Sequence, residues 1–446
     1  MSGYTRPQAV NNVEQNTLKG RLTKLIGGEF GKNVLTLMTG TALSQAVPLL
    51  LSPLITRLFS PDDFTALEIY TMYLNILVVV VTGKYEYAIM QPSHREDARH
   101  VLALSTRISL VSSAVLLIVA VFAGPMVGEY YGLPTLGAWL WTLPITLLAF
   151  ATFNSVNFWF SRQKNYRVAA TAKVWNSASS EPVKLGFGLA GLSSFGLIIP
   201  TVFGNVASAI YSVFHFLKDE PLGFRNIDRE RLKKVAREYR DYPLFTIWGS
   251  LFSRMAQWAH IGLFTQYYGI VAVGYMALCR RVFMTPLNIV AASFGQVFYQ
   301  KISEVTDDKE LYRIYMAALK KFMAFALACL VVVLLLPQRT MGFVFGSEWE
   351  RAIEFLKILS FWYVFNFVTS SLSYTFYRIG AQRLTAFIDA VHFALIVGCI
   401  HVSYKAGLDE LDALKALVVC KVLLLLSIIA ITLVILKRNA SKALVK

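Results

Sequence analysis

Charged and polar side chains recur on one face of several apolar stretches in this sequence. Glu68, Asn75 and Glu86 share one side of a single predicted helix. A charged group in the hydrocarbon layer costs about 2.5–3.5 kcal/mol on insertion scales, so we expect these faces to line water or the protein interior. The other polar faces are Thr41, Gln45, Pro48 and Ser52; Lys173, Ser177, Glu181 and Lys184; Ser250, Arg254 and Gln257; and Thr385, Asp389 and His392.

Three arginines stand out because no acidic residue lies near them on the same stretch: Arg254 and the adjacent pair Arg280 and Arg281. The planar guanidinium group binds phosphate oxygens in a bidentate manner, so these arginines predict an anionic ligand. Neighbouring residues on an α-helix point about 100° apart, so we expect only one of the pair to reach the ligand path. The cations within the apolar stretches are Arg107, Lys173, Lys184, Arg254, Arg280, Arg281, Lys357, Lys415 and Lys421.

The candidate site residues fall into two groups. The predicted substrate-binding residues are Arg254, Arg280, Arg281, Gln45 and Asn75, and the candidates for coupling or gating are Glu68, Glu86, Arg57, Lys173 and Asp389.

Structural roles remain open for several charged residues. Glu181 and Lys184 can neutralise each other at a spacing of three. Glu86 lies near the end of its stretch, where a long side chain can extend to the interface. Arg57 is as compatible with an interfacial anchor as with a gate, and Asp389 with a hydrogen bond between helices.

Composition identifies the class of protein that must position these residues. The 446 residues are 56% hydrophobic and 16% charged, whereas soluble domains carry about 25% charged residues. A mean hydropathy of +0.52 at a net charge of +16 excludes a simple nucleic-acid binder, so no nucleic-acid partner is expected. The four cysteines lie within apolar stretches and are expected to be packing residues.

Twelve stretches are long enough to cross a membrane, which takes about 20 apolar residues. Most of the 43 lysines and arginines fall in the connections on one side, which predicts that both termini are cytoplasmic. The fold class is therefore an all-α polytopic membrane protein. The predicted spans lie near 35–57, 65–85, 102–123, 137–160, 170–190, 195–216, 244–266, 270–298, 314–336, 352–376, 384–403 and 412–436.

The spans divide into two six-helix halves separated by a basic connection. Segment 56–67 can be laid over 265–276, and the same offset makes Gln45 and Arg254 equivalent positions, which we expect to face each other across the halves. Parallel repeats with a substrate path between them are a transporter plan. The predicted units are a cytoplasmic segment 1–32 with an amphipathic interfacial helix near Leu18, a half 33–216, a cytoplasmic linker 217–242, a half 243–436 and a cytoplasmic tail 437–446.

Motifs for enzymatic or metal chemistry are missing from the sequence. There is no G-x-x-x-x-G-K-[ST] loop for nucleotide hydrolysis and no H-E-x-x-H zinc pattern. We therefore expect a transporter without a cofactor or metal site. Coupling to protons or sodium through Glu68 or Glu86 stays open.

Two segments carry a family resemblance. Residues 52–64 (SPLITRLFSPDDF) and 83–92 (GKYEYAIMQP) resemble the first two spans of Wzx-like polysaccharide flippases. These belong to the multidrug/oligosaccharidyl-lipid/polysaccharide exporter superfamily. Thr65 replaces the glycine usual in that family.

The resemblance implies transport of an undecaprenyl-diphosphate-linked oligosaccharide from the inner to the outer leaflet of a bacterial cytoplasmic membrane. It further implies alternating access and, as partners, membrane lipid, a polysaccharide polymerase and a chain-length regulator. The family cavity is lined by the first two spans of each half, which here carry Gln45, Glu68, Asn75, Glu86, Arg254, Arg280 and Arg281.

Two other functions are weighed against this one. A cation-coupled multidrug exporter of the same superfamily is expected to have acid-dominated rather than arginine-containing helix faces. A polysaccharide polymerase or ligase is expected to have a large outer loop with catalytic residues, whereas the largest outer connection, near 337–350, holds one arginine.

Overall fold

The fold consists of long helices joined by short connections. The computed structural model describes residues 29–442 except 226, 304, 306 and 379–381. Every regular element within these residues is a helix, so the all-α prediction is confirmed. The predicted amphipathic helix near Leu18 lies outside the described residues.

The N-terminal half contains six long helices. A capping box begins the second one: the Ser60 hydroxyl accepts a hydrogen bond from the Asp63 N–H, and the Asp63 carboxylate accepts one from the Ser60 N–H. Pro61 occupies the first turn, where no N–H is needed. The helices are α1 (Glu29–Ile55), α2 (Pro61–Val81), α3 (Arg95–Tyr130), α4 (Leu143–Arg162), α5 (Tyr166–Leu189) and α6 (Phe195–Asp219).

The C-terminal half also contains six long helices, and the second of these is irregular in its middle. A wide π-type turn, Arg280–Met284, lies in the middle of its second helix. Pro286 lies two residues after the turn and has no N–H for a regular helical bond, which accounts for the local irregularity. The helices are α7 (Ile247–Tyr268), α8 (Ile270–Cys279, Arg280–Met284 and Thr285–Ser303), α9 (Asp308–Leu334), α10 (Ala352–Leu372), α11 (Gln382–Lys405) and α12 (Glu410–Lys442).

Each of the twelve predicted spans coincides with one of these helices. Among the described residues, nine helices are long and apolar enough to cross a membrane. The helices outside that group are α1, α5 and α7, which hold several of the polar faces described above. That all twelve cross the membrane, and that both termini are cytoplasmic, remain predictions.

The connection between the halves is folded and docked. Its helix, Arg229–Glu238, begins at Asp228, whose side chain accepts two backbone hydrogen bonds. Val235 is buried in an apolar cluster with Tyr85, which lies just after α2. The Tyr85 hydroxyl donates to the Ala236 carbonyl at 2.9 Å. These contacts place the connection at the end of the molecule where α2 finishes.

At the opposite end, where α2 begins, the two halves are held together. The Thr65 hydroxyl donates to the Ile270 carbonyl at 2.5 Å. The Trp349 indole N–H donates to the Thr56 carbonyl at 2.8 Å. Both bonds join one half to the other, so this end of the molecule is closed. It is called the closed end below.

Candidate substrate cavity

A cavity of about 450 Å³ lies between the two halves. Helices α1 and α2 form its N-terminal wall, and α7, α8, α10, α11 and α12 form the remainder. Its acidic and basic lining residues are Glu68, Arg280, Arg281, His260, His392 and Lys421.

Arg280 joins the halves across this cavity. Its Nη2 lies 2.5 Å from Oε2 of Glu68, a buried residue of α2. Its guanidinium carbon also lies 4.4 Å from the ring centroid of Trp258. An aromatic face attracts a cation and orients it. Arg280 is therefore held between a carboxylate of one half and an indole of the other.

Arg281 reaches a different part of the N-terminal half. Its Nη2 lies 3.1 Å from Oε2 of Glu181 on α5 and 2.9 Å from the Pro48 carbonyl on α1. The same carboxylate accepts a hydrogen bond from Lys184 Nζ at 2.6 Å. The predicted pairing of Glu181 with Lys184 is confirmed, but one carboxylate serves two cations.

Both arginines line the cavity, so the expectation that only one would reach it was wrong. The reason is the π-type turn that starts at Arg280. Because its backbone hydrogen bonds span one residue more than in an α-helix, the angular step assumed from the α-helix does not apply. Such turns are frequent at functional sites. Pro286 was the sequence signal that could have revealed it.

The sequence did not identify as a site the basic cluster that Lys421, His260 and His392 form in the C-terminal half. Lys421 of α12 is 1% exposed, and its Nζ lies 3.7 Å from the ring centroid of Trp362. The buried His260 packs edge-on against the same indole at 5.4 Å between ring centroids. The sequence signal was a lysine within a strongly apolar stretch, which favours a buried functional group.

The structure brings four of the predicted site residues to the cavity wall: Gln45, Glu68, Arg280 and Arg281. Asn75 does not line it, and its amide donates to the carbonyl of Thr71 in its own helix at 2.8 Å.

Arg254 lies outside the cavity, near Lys84 at the linker end. It forms no hydrogen bond or ion pair with the described part of the chain. Gln45 lines the cavity, so this residue and Arg254 do not face each other across it. A role for Arg254 in binding the substrate stays a prediction.

The remaining candidates also lie away from the cavity wall. Glu86 is buried with Lys84 at 3.8 Å, so neither side chain extends to water. Lys173 donates to the Thr41 hydroxyl at 3.1 Å. Asp389 faces Ser253 of α7. Their predicted coupling or gating roles stay open.

Arg57 lies at the closed end, where its Nη2 donates to the Phe343 carbonyl at 3.0 Å. This bond also joins the two halves, and the Arg57 side chain is otherwise exposed. The position is compatible with the predicted gate as well as with an interfacial anchor.

The long apolar helices, the two halves and the charged cavity between them define a multi-pass membrane protein. The family model described as "Polysaccharide biosynthesis protein" matches residues 54–354, and the chain belongs to that family. None of the curated proteins matches the chain in sequence.

Solved transporter structures share this fold. A multidrug resistance MATE family transporter of the MOP superfamily, in an inward-facing conformation, is 16% identical with a TM-score of 0.70, covering 91% of this chain and 96% of that chain. The lipid II flippase MurJ, in an inward closed conformation, is 13% identical with a TM-score of 0.65, covering 93% and 90%. A MOP superfamily transporter from Pyrococcus furiosus, described by a binding pocket of reverse polarity, is 15% identical with a TM-score of 0.57, covering 94% and 98%.

Proposed function

We propose that this protein is a flippase for undecaprenyl-diphosphate-linked oligosaccharides. It would carry them from the inner to the outer leaflet of a bacterial cytoplasmic membrane during assembly of O-antigen, capsule or exopolysaccharide. The observation that carries the proposal is the approach of Arg280 and Arg281 to one cavity between the halves. The family membership supports the polysaccharide pathway, and the MurJ-like fold is compatible with a lipid-linked substrate.

The charge of the cavity favours an anionic substrate. Among the described lining residues, three cations, Arg280, Arg281 and Lys421, stand against one carboxylate, Glu68. Guanidinium groups bind the oxygens of a diphosphate through short charge-assisted hydrogen bonds. The sugars would occupy the cavity beside the diphosphate, and the polyprenyl tail would remain in lipid between the halves.

A bound diphosphate would replace the carboxylate partners of the two arginines, and this replacement would link substrate binding to movement of the halves. A diphosphate that binds Arg280 competes with Glu68, and one that binds Arg281 competes with Glu181. These ion pairs connect the halves, so replacing them loosens the contacts that hold the halves together around the cavity. Glu68 is then free to take up a proton or sodium ion, which would couple transport to an ion gradient.

The membrane potential favours the proposed direction. Each negative charge that moves outward across an inside-negative membrane gains about 2.3 kcal/mol for each 100 mV. A diphosphate carries more than one such charge, so the potential contributes to transport without nucleotide hydrolysis.

The test is the double variant Arg280→Ala/Arg281→Ala in a strain whose own copy of the gene is deleted. Each lost charge-assisted bond is worth about 1.5–3 kcal/mol, so we expect surface polysaccharide to fall about tenfold or more. Lipid-linked oligosaccharide should accumulate on the cytoplasmic leaflet. Surface polysaccharide is measured by immunoblot of whole cells at matched membrane levels of the protein.

Arg167→Ala is the matched control, because Arg167 is exposed on α5 and does not line the cavity. Full surface polysaccharide in the double variant at normal expression would contradict the proposal. Increased sensitivity to cationic drugs with unchanged polysaccharide would instead favour a multidrug exporter.

A further inference from the structure

Lys421 is a buried lysine without an ionic partner among the described residues. It lies on α12 within the apolar part of the helix, and its Nζ has no hydrogen-bond acceptor among the described residues. None of the ion pairs in the described part of the chain includes it. The face of Trp362 covers one side of the ammonium group, and the cavity lies beside it.

Two imidazoles on neighbouring helices face the same cavity. His260 on α7 is 5% exposed, and its Nδ1 makes no hydrogen bond of good geometry within the described residues, the closest approach being to the backbone of Gln257 in the same helix. The Nε2 of His392 on α11 likewise has none there. Both rings lie within electrostatic range of Lys421. Three helices thus bring basic side chains together at one region of the cavity wall.

Lys421 differs from Arg280 and Arg281 in having no carboxylate partner among the described residues. Arg280 and Arg281 each have a carboxylate partner already, so an anion must displace that partner. An anion that meets Lys421 displaces none. A buried charge without a counter-charge is costly, and a ligand that supplies the counter-charge removes that cost.

We propose that Lys421, with His260 and His392, forms a second anion subsite of the cavity, which binds phosphate oxygens of the carried diphosphate. The Lys421 ammonium group donates a hydrogen bond to a phosphate oxygen, and each imidazole donates its N–H to the same phosphate. The choice of a diphosphate rests on the proposed function, whereas the anion site itself rests on the unpartnered nitrogens. The diphosphate would then be held between Arg280 of one region and Lys421 of the other.

The experiment measures binding of inorganic pyrophosphate to the full chain in lipid nanodiscs by calorimetry. Lys421→Met removes the charge at similar volume, and Lys421→Gln serves as a second variant. We expect both variants to bind pyrophosphate about tenfold more weakly or worse. Their melting temperature without ligand should not fall, because the change removes a buried charge that has no partner.

Lys415→Met is the matched control, because Lys415 is an exposed lysine of the same helix paired with Asp412 at 2.7 Å. Unchanged pyrophosphate affinity in the Lys421 variants, or no pyrophosphate binding by the unaltered protein, would overturn the subsite. Stronger binding of glucuronate than of pyrophosphate would also overturn it, by assigning the region to a sugar carboxylate. Lost transport with unchanged binding would overturn it in favour of a proton-coupling role. None of these results alters the test of Arg280 and Arg281 in cells, so the two proposals fail separately.

Discussion

Glu181→Gln is expected to lower the stability of the folded protein by about 3–5 kcal/mol, the cost of removing one partner from a buried ion pair. Glu181 is 2% exposed and is the shared partner of Lys184 and Arg281. Glutamine keeps the shape of the side chain but removes its charge. Two cations would then remain in the interior without a counter-charge, one of them 7% exposed. The measurement is chemical unfolding of the purified protein in detergent micelles.

The matched control is Glu230→Gln in the linker helix. It breaks a pair of the same spacing, with Lys233 at 3.0 Å, but both side chains are exposed. Exposed pairs contribute about 0.2–1 kcal/mol, so this variant should behave almost as the unaltered protein. The triple change Glu181→Met/Lys184→Met/Arg281→Met removes all three charges and should recover much of the loss. Equal stability of the two glutamine variants would show that Glu181 does not balance the buried cations.

Gly274→Val is expected to open the closed end of the molecule. Gly274 lies on α8 against the start of α2, and a Cβ there would lie 2.2 Å from the Pro61 carbonyl oxygen. The nearby atoms are backbone, so no side-chain rotation relieves the overlap. Overpacking of this kind costs about 1–3 kcal/mol. This free-energy cost arises only while the halves touch. It therefore shifts the equilibrium between touching and separated halves about 5–150-fold towards separated halves.

The separation is measured between spin labels placed by Glu129→Cys and Ala406→Cys, with the four native cysteines replaced. Both positions are exposed and lie at the closed end, one in each half. We expect longer distances for Gly274→Val and reduced surface polysaccharide in cells, because the protein no longer returns to the closed arrangement. Gly398→Val is the control, since no atom lies near a Cβ at that position. Unchanged distances would show that α2 and α8 adjust without separating.

The helices were predictable from the sequence because they depend on local features. A stretch of apolar residues long enough to cross a membrane identifies a span without reference to the rest of the chain. The capping residues Ser60, Pro61 and Asp63 act within one turn of helix. The polar face of α2 was visible as well, and Glu68 on that face does line the cavity.

The pair Glu181 and Lys184 within one helix was predictable, but the partners that charged residues find on other helices were not. Helical periodicity shows which residues share a face, but it does not show which helix that face meets. Arg280 and Glu68 are separated by 212 residues, and only the packing of α8 against α2 brings them together. The same limit applied to Arg254, which lies outside the cavity although Gln257 on the same predicted face lines it.

The sequence by itself therefore determined that this is an all-helical membrane protein with charged residues on one face of several spans. It also determined the family resemblance, through residues 52–64 and 83–92. Only the tertiary structure decided that Arg280 and Arg281 both line the cavity and that Lys421 does so with no ionic partner in the described part of the chain. The physical reason is that burial and charge pairing depend on how distant helices pack, whereas helix formation in a membrane depends on each stretch alone.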